Sequence, residues 1–162
     1  MSSEKRTQGG AAGDSTFVYV TFVRATPQAL WTALTSREFT ERYWFGMHHE
    51  CDWQRGSSWS LRFADGRIAD SGEVVESDPP RRLVLRWRNM FLAELNAEGD
   101  SLCTIEIEPV EYAVKLTITH CVARPASKFI EKVSEGWPRI LSNLKTLLET
   151  GEVLMPLVVE GD

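Results

Sequence analysis

Between Thr16 and Ala25 the chain is rich in β-branched and aromatic residues, with Phe17, Tyr19, Thr21 and Val23 on one parity, and this predicts a strand. Thr26 before Pro27 then supplies an N-cap and a first helical residue. Leu30, Trp31 and Leu34 follow at helical spacing, a helix of about two turns. Ser36 stands where it can cap a second short helix through Tyr43, with Phe39 and Tyr43 one turn apart and Gly46 as its end.

From Met47 to Val110 the period shortens to two. The runs HHECDW, SWSLRF, RIADSGEVVES, RLVLRW and LCTIEIEPV are separated by turn chemistry at Arg55-Gly56, Asp65-Gly66, Asp78-Pro79-Pro80 and 96–100, which fits an antiparallel meander. Asp65-Gly66 predicts a hairpin with a type I′ turn, fed by a strand with Trp59, Leu61 and Phe63 on one face. Leu83, Leu85 and Trp87 alternate with Val84, Arg86 and Arg88. Val114, Leu116, Ile118 and His120 alternate in the same way with Lys115, Thr117 and Thr119, so each strand has a wet face and a buried one.

Ala126–Thr150 changes period again. Phe129, Ile130, Val133, Trp137, Ile140, Leu141, Leu144, Leu147 and Leu148 make a helical stripe, closed by Gly151. Gly136-Trp137-Pro138 interrupts it, and the proline predicts a kink or a restart. A sheet of six to seven strands must cover its apolar face, and this helix is the large apolar partner in the chain, so the layers are α+β. Residues 1–14 lack an apolar period and are expected to be a disordered tail. The domain then spans 15–151, and 152–162 form a C-terminal tail.

Composition narrows the function classes. With 162 residues and 43% hydrophobic content, one core is expected without covalent staples. A net charge of -5 argues against a nucleic-acid partner. Cys51, Cys103 and Cys121 are odd in number and widely spaced, which predicts a reducing compartment rather than a disulfide framework or a CxxC metal site. No apolar leader or membrane-length run occurs, so the expectation is a cytoplasmic protein with no membrane partner.

Three segments carry a family resemblance: PQALWTALTSREFTERYW after the first strand, GEVVESDPPRRLVLRW from Gly72 to Trp87, and EGWPRILSNLKTLLETG from Glu135 to Gly151. Their order resembles the START/SRPBCC, or birch-pollen-allergen-like, superfamily. Within it the chain is similar to bacterial homologues of the activator of heat-shock protein 90 ATPase. The resemblance implies a helix-grip fold, a curved antiparallel sheet with two short helices and a long C-terminal helix across it. It also implies a cavity between sheet and helix. The superfamily's tasks range over hydrophobic-ligand carriage, polyketide cyclisation, sequestration and chaperone stimulation, and fold alone selects none of them.

The inward residues expected to line that cavity are Trp59, Leu61, Phe63, Leu85, Trp87, Leu116, Ile118, His120, Phe129, Val133 and Trp137. Pockets of this composition bind hydrophobic small molecules. The same side chains could simply fill the core. His120 continues an apolar face and could orient a polar ligand or act as an acid or base, or it could be a histidine hydrogen-bonded at a strand end.

His48 and His49 are adjacent and point to opposite sides of a strand, so with Cys51 they make a poor metal site. Asp52, Asp70, Glu73 and Glu76 lie on or near strands that could curve over a pocket and permit acid/base chemistry, and a solvated outer face is the simpler expectation for them. No GxSxG, HExxH or phosphate loop is present, and no catalytic residue, metal or cofactor is assigned. The leading reading is therefore a binding protein for a hydrophobic small molecule, with the short helices and the Gly136–Pro138 segment gating entry. A chaperone-associated module is the second reading, although the namesake's additional N-terminal domain has no counterpart in this length of chain. The third is a small cyclase- or hydrolase-like enzyme using His120 and a nearby carboxylate. A sheet edge or the apolar residues Val153–Val159 leave a homodimer open.

Overall fold

Strand β2 (Ser15–Val23) pairs antiparallel with β8 (Ala113–Val122), Phe17 opposite His120 and Val23 opposite Val114, so the strand that opens the fold closes on the one that precedes the long helix. This computed structural model describes residues 4–9 and 13–156. Between that pair the chain lays down β3 (His48–Cys51), β4 (Ser58–Arg62), β5 (Ile68–Asp78), β6 (Arg82–Asn89) and β7 (Ser101–Val110) as a continuous antiparallel meander. These seven strands form the curved sheet of a helix-grip fold, and β1 (Glu4–Gly9) adds an eighth on the outer edge of β2, giving the order β1-β2-β8-β7-β6-β5-β4-β3. The disordered tail expected over 1–14 therefore gives way to a strand over Glu4–Gly9. The free edge of β2 offers backbone donors and acceptors that a polar segment can pair with regardless of its side chains.

Helices α1 (Pro27–Thr35) and α2 (Arg37–Tyr43) fill the link from β2 to β3, α3 (Ala93–Asn96) bridges β6 and β7, and α4 (Lys128–Thr150) runs across β2 and β8. Thr26 caps α1 as its sequence requires, its hydroxyl accepting from Ala29 N at 3.1 Å. Ser36 does not cap α2 with its side chain. Its own N–H still closes α1 onto Thr32 O, and the two helices share it as a hinge residue.

Two other local expectations change. In the Asp65-Gly66 turn only Gly66 has positive φ (+94°), and Gly66 N donates to Phe63 O while Phe63 N donates to Arg67 O. That geometry is a wider turn with one left-handed glycine, not a type I′ pair. Helix α4 is also continuous through Pro138 with no restart. Ser127 caps it by accepting from Ile130 N at 3.1 Å, and Gly151 ends it at φ +90°.

The burial of β8 alternates along its whole length, and α4 lays Phe129, Ile130, Trp137, Leu141, Leu144 and Leu147 into the concave face. The convex face is wet, with Arg86 paired to Glu73 at 2.7 Å and Arg82 to Glu106 at 2.6 Å. Beyond α4 the chain turns back, and Asn143 clasps Met155, accepting from its N at 2.6 Å and donating to its O at 2.9 Å. Residues 157–162, including part of the apolar tail proposed for self-association, lie outside the described residues. No helix among the described residues is long and apolar enough to cross a membrane.

Candidate functional site

Gly72 organises the concave face. It lies in register between Trp59 on β4 and Trp87 on β6. A Cβ at this position would run into the backbone carbonyl of Arg86, so the two strands approach more closely than any side chain would permit. With no side chain between them, the Trp59 and Trp87 rings meet at 4.4 Å. Trp44, just after α2, and Trp137 on α4 complete the contact, with Trp44 at 6.4 Å from Trp87 and 5.3 Å from Trp137, and Trp87 at 5.8 Å from Trp137.

Above this aromatic floor, between β4–β6 and α4, is a half-open pocket of about 270 Å3. Its walls are almost wholly apolar, and its rim includes Phe63 and Phe91, edge to face at 5.1 Å, with Phe91 47% exposed. One more register step along the ladder, where β4, β5 and β6 carry Leu61, Asp70 and Asn89 side by side, two polar groups enter the wall.

Asp70 is only 6% exposed. Burial pushes its carboxyl up to about 7, opposed by the neighbouring Trp87 indole and the Asn89 amide. Asn89 Nδ2 donates to Asp70 Oδ1 over a long 3.4 Å. Trp87 Nε1 is buried and completes no hydrogen bond, so its effect on Asp70 is that of a nearby dipole rather than a formed bond. Asp70 does not take the solvated outer face, the simpler of its two expectations. It is instead on the buried one, in parity with Gly72 and Val74, because a bulge between Val74 and Glu76 reverses the faces partway along β5. Glu73 and Glu76 do point outward and pair with Arg86 and Arg82.

His120 is fully buried and both ring nitrogens are engaged. Trp137 Nε1 donates to Nδ1 at 3.2 Å, which places the proton on Nε2, and Nε2 donates to Ser101 Oγ at 2.9 Å. Ser101 in turn donates to Trp87 O at 2.9 Å. Burial pushes the imidazole down to about 3, so the ring is neutral across the physiological range. It joins β8, β7, β6 and α4, and its partners are a hydroxyl and an indole rather than a carboxylate.

Of the side chains expected to line a cavity, Leu61, Phe63, Trp87, Phe129, Val133 and Trp137 border the pocket. Trp59, Leu85, Leu116, Ile118 and His120 are core residues beneath or beside it. Trp44, Met47, Asn89, Phe91, Leu95, Lys132, Gly136 and Ile140 also line the pocket without having been expected there, and Asp70 takes the pocket position that was the less simple of its two expectations. For the α4 residues the signal was present, because Lys132, Gly136 and Ile140 flank Val133 and Trp137 on the helix surface.

His48 and His49 diverge as expected. His48 is buried, with Nε2 3.4 Å from Glu50, whereas His49 Nδ1 accepts from Trp59 Nε1 at 3.0 Å. Among the described residues no three His, Cys, Asp or Glu side chains gather as a metal set.

The family described as "Activator of Hsp90 ATPase homolog 1-like protein" matches residues 24–149. No curated protein matches in sequence. Similar solved structures include CalU16 from Micromonospora echinospora, 20% identical, with a TM-score of 0.74 over 99% of this chain and 81% of that one. The Aha1 dimer from Colwellia psychrerythraea is 19% identical, with a TM-score of 0.67 over 84% and 97% of the two chains. PFC0360w, an HSP90 activator from Plasmodium falciparum, is 26% identical, with a TM-score of 0.68 over 83% and 96%.

Proposed function

Since the chain belongs to the activator of Hsp90 ATPase homolog 1-like family, whose fold does not by itself define a task, we propose that it binds a small, mostly apolar molecule in the pocket beneath α4. The supporting observation is the pocket itself, about 270 Å3 of unfilled space walled by aromatic and aliphatic side chains in a core that is otherwise closely packed. The volume equals that of roughly nine waters at about 30 Å3 each, which suits a ligand of one or two rings.

The enzyme reading built on His120 loses its support, because that imidazole is held by Ser101 and Trp137 in the core. Ligand binding is tested by thermal denaturation with a panel of small aromatic and aliphatic compounds, where a binder raises Tm by mass action. Gly136 supplies the control. A Cβ there meets nothing within 4 Å and the residue lines the pocket, so Gly136→Leu places its side chain in pocket space and should abolish the ligand-induced rise, with the variant's own unfolding transition showing that it stays folded. A panel that leaves Tm unchanged, or a rise that persists in Gly136→Leu, refutes the pocket.

A further inference from the structure

The pocket's chemistry narrows its ligand further. Asp70 is a buried carboxyl with one long hydrogen bond, from Asn89, and beside it the Trp87 Nε1–H has no acceptor. A buried carboxyl lacking a cation is either neutral or awaits a partner. Among the described residues no lysine, arginine or histidine forms an ion pair with Asp70, so the protein supplies it no cation.

The rest of the pocket lining comes from the elements around it. Strand β4 brings Leu61, β6 brings Trp87 and Asn89, α3 brings Leu95, and α4 brings Trp137 and Lys132. Lys132 is the one other charged group of the lining, and it is exposed at the mouth, where a lysine keeps its ammonium in water and lends its stem to the wall. The remaining walls are dominated by aromatic rings, whose faces carry partial negative charge and attract ammonium groups.

We propose that the ligand is a small arylalkylamine, an aromatic ring carrying an aliphatic amine, whose ammonium group pairs with Asp70 while its ring lies against Trp87, Trp137 and Phe129. This rests on the pocket reading above. An acidic ligand would meet a carboxyl and the negative faces of the rings, and a neutral one would leave the carboxyl without a cation. The amine supplies the missing charge and releases the carboxyl proton to solvent, so its binding should strengthen as pH rises through the titration of Asp70, which burial has moved to about 7. Aliphatic amines themselves stay charged to about pH 9.

The test compares phenethylamine with phenethyl alcohol, nearly equal in shape, by isothermal titration calorimetry on the full chain. At about pH 8 the amine should bind about tenfold or more tighter, the order expected of a charge-assisted hydrogen bond. The preference should decay toward unity by about pH 5.5 as Asp70 protonates. Asp70→Asn should remove the preference and keep alcohol binding, which also shows that the variant is folded. If it does not fold, the wild-type pH profile alone decides. Alcohol binding without an amine preference, or a preference that survives in Asp70→Asn or is flat with pH, overturns the amine and leaves the pocket standing. Failure of both probes to bind overturns the two together.

Discussion

The Glu98 carboxylate and the Ser127 hydroxyl lie 2.5 Å apart, and through this contact the loop after α3 is fastened to the first turn of α4. Glu98 also accepts from Lys128 N at 2.9 Å and from Phe129 N at 3.4 Å, satisfying donors that the start of a helix leaves open. Leu95 and Phe129 on either side of this clasp are both pocket residues, so it sets the spacing of two of the walls.

Glu98→Ala should lower stability by about 0.5–2 kcal/mol, the range for a lost N-terminal cap. Burial pushes the Glu98 carboxyl up, but its hydrogen bonds to Ser127, Lys128 and Phe129, with Arg124 nearby, leave it below the ordinary glutamate value. A depressed acid contributes its stability above the unfolded value of about 4.3 and loses it as pH falls. The gap between wild type and variant in urea denaturation should therefore narrow below about pH 4.3. A gap that widens in acid would contradict the clasp.

Gly72→Ala places a methyl group against the Arg86 carbonyl, a backbone atom that cannot rotate away. Strands β5 and β6 must separate, at a cost of about 1–3 kcal/mol or more in unfolding free energy from denaturant titration. The Trp59–Trp87 contact should loosen with them. A variant as stable as wild type would mean that the close approach of these strands is not a constraint.

His120→Leu removes the acceptor for Trp137 Nε1 and the donor to Ser101, and leaving buried groups unpaired should cost about 1–3 kcal/mol each. The pH dependence separates this structural role from a catalytic one. The native imidazole is lowered to about 3, whereas the unfolded one takes a proton near about 6.5. Its contribution is therefore intact above about pH 6.5 and drains away on acidification toward about 3. Asp70, raised to about 7, has the opposite sign, its protonated native form favoured in acid and that advantage gone above about 7. The difference between wild type and His120→Leu isolates the histidine, and it should shrink as pH falls. A constant difference from about pH 7 to about pH 4 would show that the ring is not held neutral in the fold.

The fold was legible because its patterns are clean. The parity of Val114 to His120 and the stripe from Phe129 to Leu148 leave little freedom in how sheet and helix meet, and the segment from Gly72 to Trp87 carried the family. The pocket's polar end was not legible, for a local reason. In IADSGEVVES the apolar residues are few, and the bulge after Val74 puts Asp70 inside and Glu76 outside although both are even-numbered. The division of the lining is a matter of depth as well. Parity tells that Trp59 and Leu61 face inward, but only the packing of α4 and Trp44 decides that Leu61 meets open space and Trp59 does not. At Pro138 the restart does not occur, since an α4 pressed along the sheet on both sides of the proline stays helical despite one missing hydrogen bond.

Because Gly72 carries no side chain, two indoles are held face to tilted face, 48° between planes, and two further tryptophans, Trp44 and Trp137, pack against Trp87. Chromophores so close and so fixed share their excited states. Four of the six tryptophans of the chain should absorb and emit as a coupled set rather than as independent dyes, with an exciton couplet in circular dichroism whose amplitude follows the angle between the Trp59 and Trp87 rings. Trp87 is also a wall of the pocket, so the arrangement that closes the sheet makes the protein its own optical gauge of what enters.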